Sequence, residues 1–439
     1  MSEIRRVQGM FDLFPEDHEY MTFMKKVLRY HARRSGFKRI SVPALEYGAT
    51  MLPSYGPLVD ERKNMLFKIE GEEDLYLRSN MRVGIARSYM EHNLVDQPKP
   101  VQFYYIEPAW AKHEDVDVLR QFYQFGFELL GEQDPALDSQ LIEMCKRIFE
   151  DLGLKDVKVR INCVGSKEDR VPFEEALRNF YAGKERSMCE DCKKRFEISP
   201  MLLLECHEED CKILADLAPK MQQFLSKHSK NHYEKVKEYL TTLEIPFTED
   251  IHMLRDLLYY TGAIFEFYVE QDGKDLILGG GGRYDTLVQE MGGVAAPAVG
   301  FSAGMERVIE LMKHVHIRVP SKDRAHVFVV QLGDDAKRVS LKLVSELRKN
   351  GIKSVGALGK DSIRSQLDSA ARFDVPYSLV IGQMEVYEKK IILRDMKKGT
   401  QEILPFDGIV EHLVELIGPK QLDTKNFQAM IEEAAESEE

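Results

Sequence analysis

Two apolar, aromatic-rich runs with alternating character, Val101–Trp110 and Leu119–Leu130, flank the charged segment 111–118. Alternation interrupted by a polar stretch predicts an antiparallel hairpin with a long loop. In the second run Arg120, Gln124 and Glu128 are evenly spaced, so a strand turns all three to one face. A cation, an amide and a carboxylate are costly to bury without partners, so that face is either solvated or the lining of a polar site. Ahead of the hairpin, helical spacing over Asp17–Gly36 ends in Arg-Ser-Gly, with Gly36 placed as a C-cap. Phe37–Leu45 predicts a strand interrupted by Pro43, at an edge or interface. Leu75–Leu77 predicts a short strand, Met81–Asn93 a helix, and Pro135–Leu152 another helix.

Lys155–Cys163 has strand character. The segment 164–250 is mostly helical in pattern and rich in Lys, Glu and Cys, which marks it as an insertion. Strand pattern returns at Ala263–Glu270 and Leu276–Leu278, and Gly304–His314 is an apolar helix. Past a charged linker the pattern alternates: strand Val327–Gln331, helix Ala336–Asn350, strand Lys353–Val355, helix Ser362–Phe373, strands Tyr377–Ile381 and Lys390–Asp395, and helix Leu404–Leu416. That alternation predicts an α/β domain. The expected division is a domain over 1–320 carrying the insertion, an α/β domain over 325–418, and an acidic tail over 419–439.

Composition narrows the class. A chain of 439 residues with 44% hydrophobic and 31% charged residues reads as globular. No apolar run reaches the roughly 18 residues of a membrane span. The N-terminus lacks a secretory apolar region and six cysteines are too few for a disulfide framework, so a cytoplasmic, reducing compartment is expected. A net charge of −12 argues against a generic nucleic-acid coat, without excluding a local basic surface.

Four stretches could carry chemistry. In 255–262, Arg255, Tyr259 and Tyr260 either cluster at a polar pocket or are interface residues. Gly279–Gly282, flanked by Arg283 and Asp285, is either a ligand approach or a tight turn. Arg307, after a small-residue strand-to-helix junction, either holds an anion or is an ordinary surface cation. The pairs Cys189-x2-Cys192 and Cys206-x4-Cys211 have nearly the spacing of a four-thiolate structural zinc site, with His207 as a substitute ligand; the alternative is four free thiols.

Taken in order, these stretches resemble one family. Gly9-Met10-x-Asp12-x-x-Pro15-Glu16 is similar to the opening of histidyl-tRNA synthetases. Gly36-Phe37 through Pro43 resembles motif 1 of class II aminoacyl-tRNA synthetases, a dimer element, and the hairpin resembles motif 2. RDLLYYTGAIFE and GGGGRYDTLV are similar to the two histidine-specific signatures, AVGFSAGMERV resembles motif 3, and the terminal α/β unit resembles the anticodon-binding domain. The resemblance implies an α+β catalytic domain on a six-stranded antiparallel sheet, a homodimer, and a histidine–tRNA ligase. Such an enzyme makes histidyl-adenylate from histidine and ATP with Mg²⁺, then charges tRNA(His). It implies catalytic roles for Arg255, at the α-phosphate, and for Arg307, at the ATP tail. The implied substrate-binding set is Asn80, Lys112, Arg120, Gln124, Glu128, Tyr259 and Tyr260, joined by Gly280 and Arg283 of the second signature. The cysteine segment is similar to an insertion of some bacterial members, which keeps structural Zn²⁺ on Cys189, Cys192, Cys206 and Cys211 in view.

The motif 2 region departs from the family pattern. Arg-Pro-Glu-Gly is here Arg78-Ser79-Asn80-Met81, so a carboxylate is replaced by Asn80. The motif 2 arginine falls on Ala111, with Lys112 one position later and, in a strand, on the opposite face. The following loop is acidic, and Leu258 replaces an aspartate before the tyrosine pair. These changes fit a divergent ligase. They also fit a synthetase-like paralogue with impaired or altered activation that acts as a tRNA- or small-molecule-binding regulatory protein.

Overall fold

The computed structural model describes residues 4–112, 119–255, 259–320, 324–356 and 362–422. The acidic loop (113–118), Leu258 and most of the acidic tail lie outside the described residues. Internal contacts divide the chain into two units, Met1–Val319 and Pro320–Glu439.

In chain order the strands of the first unit are β1 (Lys38–Arg39), β2 (Leu45–Tyr47), β3 (Leu75–Leu77), β4 (Val101–Trp110), β5 (Gln121–Leu130), β6 (Lys158–Cys163), β7 (Thr248–Glu249), β8 (Ala263–Gln271), β9 (Lys274–Arg283) and β10 (Ala298–Gly304). The main sheet runs β1-β4-β5-β10-β9-β8-β6-β7. Its six inner strands are all antiparallel, and the two-residue strands at either edge pair in parallel. Alternation along β5 sends Phe125, Phe127 and Leu129 to one face. There they pack with Phe265, Phe267 and Phe301 beneath the helices Pro15–Arg34, Pro135–Asp151, Lys227–Thr242 and Met305–His314. Burying a phenylalanine is worth roughly 1.5–3 kcal/mol, so this aromatic layer anchors the sheet. The opposite face carries the helix Arg82–Glu91 and much of the insertion, and it holds the polar residues.

The expected hairpin forms, with β4 spanning Val101–Trp110 and β5 starting at Gln121. Two expectations are corrected and one open reading is decided. Phe37–Leu45 is two strands in two sheets, because Pro43 offers no N–H and the buried Arg78 guanidinium takes the carbonyls of Val42 and Pro43. The glycine run is the interior of β9, not a turn. The segment expected as a helix from Leu404 begins as a strand (Gln401–Pro405), and the helix starts only at Ile409, after Gly408 at φ +89°.

The insertion contains the helices Lys167–Tyr181, Glu190–Ile198, Glu209–Leu217 and Lys227–Thr242. In the second unit β11 (Val327–Gln331), β12 (Ser354–Gly356), β13 (Tyr377–Ile381), β14 (Lys390–Asp395) and β15 (Gln401–Pro405) run β12-β11-β13-β14-β15. The pairs at β11 are parallel and those at β14 antiparallel. Apolar side chains such as Val329, Leu347, Leu379 and Leu413 fill its core. No described helix is long and apolar enough to cross a membrane.

Candidate active site

One row of register partners crosses all six inner strands of the first unit: Tyr105, Gly126, Ser302, Gly280, Glu266 and Arg160. The four side chains of that row line a cavity of about 810 Å³. The two glycines provide its depth. A Cβ on Gly126 would lie 2.3 Å from the Tyr105 hydroxyl, and one on Gly280 would lie 1.9 Å from Arg255 Nη1.

Arg255 is placed by two devices. Its backbone is left-handed at φ +60°, a conformation that costs a non-glycine residue about 1–3 kcal/mol. Glu205 offsets this: one carboxylate oxygen accepts the N–H groups of Leu254 and Arg255 at 2.9 and 2.8 Å. The guanidinium lies over Gly280 and donates to Glu266 at 2.9 Å, while Arg160 holds the other oxygen of Glu266 at 2.9 Å. Arg255 Nε is buried without a hydrogen-bond partner among the described residues. Six Arg and Lys side chains line the cavity against three carboxylates. A chain of net charge −12 therefore presents a locally cationic cleft, which suits a polyphosphate.

Next to Arg255, whose guanidinium carbon is 5.8 Å from the centre of the Tyr260 ring, Glu128, Tyr259, Tyr260 and Tyr284 form a chamber around Arg82. Arg82 donates through Nε to both oxygens of Glu128 (3.3 and 3.2 Å) and through Nη1 to the hydroxyls of Tyr259 and Tyr260 (3.0 and 2.7 Å). Its guanidinium carbon is 4.9 Å from the centre of the Tyr284 ring. Glu128, with no exposed surface, also accepts from the Tyr284 hydroxyl at 2.7 Å. Burial pushes the Glu128 carboxyl up from its usual range, and the Arg82 charge opposes that shift.

The expected site residues divide accordingly. Asn80, Gln124, Arg255, Tyr259 and Tyr260 line the cavity, and Asn80 also accepts the backbone N–H of Arg82 at 3.1 Å. Gly280 acts through its missing side chain. Glu128 points to the expected face but sits behind Arg82, off the cavity wall. Arg283 is corrected to a structural role. It is 1% exposed and clamped by Asp138 (2.8 Å), Asp285 and the carbonyl of Glu132, so it has no reach to a ligand. Arg120 precedes β5 rather than belonging to it, and its N–H donates to the carbonyl of Gly9. Lys112 is exposed over the Phe67 ring, and Ala111 is the one of that pair that faces the cavity. Arg307 is exposed and donates to the carbonyl of Ile277, whose residue is on the rim.

Sequence reasoning passed over Arg82, Tyr105, Tyr284, Glu205 and Glu266. The one available signal was a cation, Arg82, inside the otherwise apolar run 81–86. The four cysteine sulfurs lie within 4.8 Å of one another, and His207 stays outside the group. Cys206 is also on the cavity wall, beside Glu205.

A six-stranded antiparallel sheet with this cleft, joined to an α/β unit, defines the chain as a class II aminoacyl-tRNA synthetase. The family model for histidyl-tRNA synthetase matches residues 9–308, and one for an anticodon-binding domain matches 326–416. A histidine–tRNA ligase of Dehalococcoides mccartyi is 33% identical over 406 residues, covering 92% of this chain and 97% of that protein. One of Natranaerobius thermophilus is 31% identical over 415 residues, covering 94% and 99%. The crystal structure of apo S. aureus histidyl-tRNA synthetase superposes with a TM-score of 0.77 at 31% identity, covering 94% of this chain and all of that one. The chain belongs to the histidyl-tRNA synthetase family.

Proposed function

We propose that the protein is a histidine–tRNA ligase that activates histidine with ATP and transfers it to tRNA(His). The observation that carries this reading is the cationic cleft in which Arg255, Gln124, Tyr259 and Tyr260 converge over one cross-strand row. Activation needs the histidine carboxylate brought onto the α-phosphate, where negative charge builds as the new C–O–P bond forms and pyrophosphate leaves. Arg255, fixed through Glu205, Glu266 and the space over Gly280, supplies a preorganised cation at that point. Gln124 offers an amide to the amino acid, and Tyr259 and Tyr260 stand beside its ring. Arg307, at the Ile277 rim, steadies the ATP tail, and Mg²⁺ enters with the nucleotide phosphates. The second unit takes the anticodon end of the tRNA.

A homodimer through the motif 1 segment and the strand β2 that follows it is part of the reading. Leu45 and Tyr47 are 41% and 55% exposed on β2, the apolar side chains such a contact would cover. Histidine-dependent ATP–pyrophosphate exchange and charging of tRNA(His) test the reading, on a preparation expected by light scattering at twice the chain mass. Absence of both activities with all twenty amino acids would favour the binding paralogue.

The four thiolates fit zinc. Tetrahedral ligands at about 2.3 Å from Zn²⁺ stand roughly 3.8 Å apart, and Cys189 Sγ lies 3.8 Å from Cys206 Sγ. The N–H groups of Cys192 and Cys189 point at the sulfurs of Cys189 and Cys211. Bound there, the ion would supply structural cross-linking of the cavity wall next to Glu205. We expect one zinc per chain, released on thiol titration in denaturant, and a thermal midpoint several degrees lower for Cys192→Ser. A metal-free preparation of unchanged midpoint would refute the site.

A further inference from the structure

The chamber formed by Glu128, Tyr259, Tyr260 and Tyr284 is built for a planar cation that donates N–H groups. A carboxylate closes one end, two hydroxyls accept at another, and aromatic rings form the walls. In this protein the planar donor comes from the chain itself. Arg82 opens the helix Arg82–Glu91, is 4% exposed at its side chain, and satisfies the carboxylate and both hydroxyls. Its one remaining amino group, Nη2, is buried, has no partner among the described residues, and belongs to a residue on the cavity wall. Guanidinium and imidazole are both flat groups with N–H donors on their edge and are of similar breadth, so they compete for one place.

We propose that Arg82 is a specificity-determining residue that occupies the compartment the substrate's imidazole would enter, so that histidine binds only as Arg82 withdraws. The assignment rests on the ligase reading for the identity of the competitor. It explains why Glu128, the one carboxylate among the expected amino acid contacts, has no surface on the cavity: Arg82 stands between them. It also fixes the direction of change, because removing the guanidinium uncovers Glu128 and both hydroxyls to a ligand. Asn80 belongs to the same arrangement, since its side-chain oxygen holds the N–H of Arg82.

Isothermal titration of the full-length protein with histidine and with histidinol tests this, comparing wild type with Arg82→Ala and Arg82→Lys. Arg82→Ala is expected to bind histidine at least tenfold more tightly than wild type. Arg82→Lys keeps Glu128 paired but vacates the flat slot between the rings, so it is expected to gain about threefold and to fold even where the alanine variant does not. In a thermal melt, ethylguanidine should raise the midpoint of Arg82→Ala and leave wild type unchanged. Equal or weaker histidine binding by a folded Arg82 variant would overturn the proposal and make Arg82 a ligand contact instead. Pyrophosphate exchange is read separately. Tighter histidine binding without exchange in any form would remove the ligase reading and leave the Arg82 assignment standing.

Discussion

Replacing Arg255 by alanine is expected to slow histidine-dependent pyrophosphate exchange by about 10²–10³-fold, the loss typical of removing one preorganised group that meets developing charge. The fall should appear mainly in kcat, because the role proposed for the guanidinium is to meet charge that develops on the α-phosphate only as the bond forms. Stability should change little. Glu266 loses one partner but keeps Arg160 at 2.9 Å, so no carboxylate is left buried and alone. Alanine also relaxes nothing in the backbone, since the left-handed turn at residue 255 is held from outside by Glu205. Arg255→Lys should recover only a small part of the rate, because an ammonium cannot reproduce a guanidinium held over Gly280 with one arm on Glu266. Stopped exchange assays at saturating ATP, with a urea melt of each variant, separate the two effects. An Arg255→Ala enzyme with wild-type kcat would remove this residue from the chemistry.

How far the sequence discloses this site depends on whether the deciding contact is local. The hairpin was legible because alternation is a property of one strand. β4 has the expected limits, and β5 starts two residues late because the Arg120 N–H is drawn to the Gly9 carbonyl. Gln124 and Glu128 do share a face, yet the pattern could not show that a residue 46 positions earlier stands in front of Glu128. Arg283 misled for the same reason: its position in a recognised motif said nothing of Asp138, 145 residues away, which with Asp285 takes up its charge. The glycine run had left two readings open, a ligand approach and a tight turn. A run of glycines is usually backbone freedom for a turn, whereas here it is empty volume in the middle of a sheet. The side chain that needs that volume at Gly280, Arg255, comes from elsewhere in the chain.

That reading of the glycines has its own consequence at Gly280. Gly280→Ala should destabilise the catalytic unit by roughly 2–3 kcal/mol and abolish most of the exchange activity, as overpacking a closed site does. The new Cβ would fall 1.9 Å from Arg255 Nη1 and 2.6 Å from the carbonyl of Phe265. The first neighbour is the end of a side chain and can move. The second is backbone of the adjacent strand β8, held in register with β9, and cannot move without distorting the pair. The two clashes can be told apart by a double-mutant cycle. In an Arg255→Ala background the side-chain clash is absent, so Gly280→Ala should cost about 1 kcal/mol less than it does in the wild type. Chemical denaturation of the four proteins gives the coupling directly. Strict additivity would mean that Gly280 serves the strand alone and that Arg255 does not lie over it. A double mutant less destabilised than the sum of the two single variants would tie the family's glycine signature to the placement of the cation proposed to meet the α-phosphate.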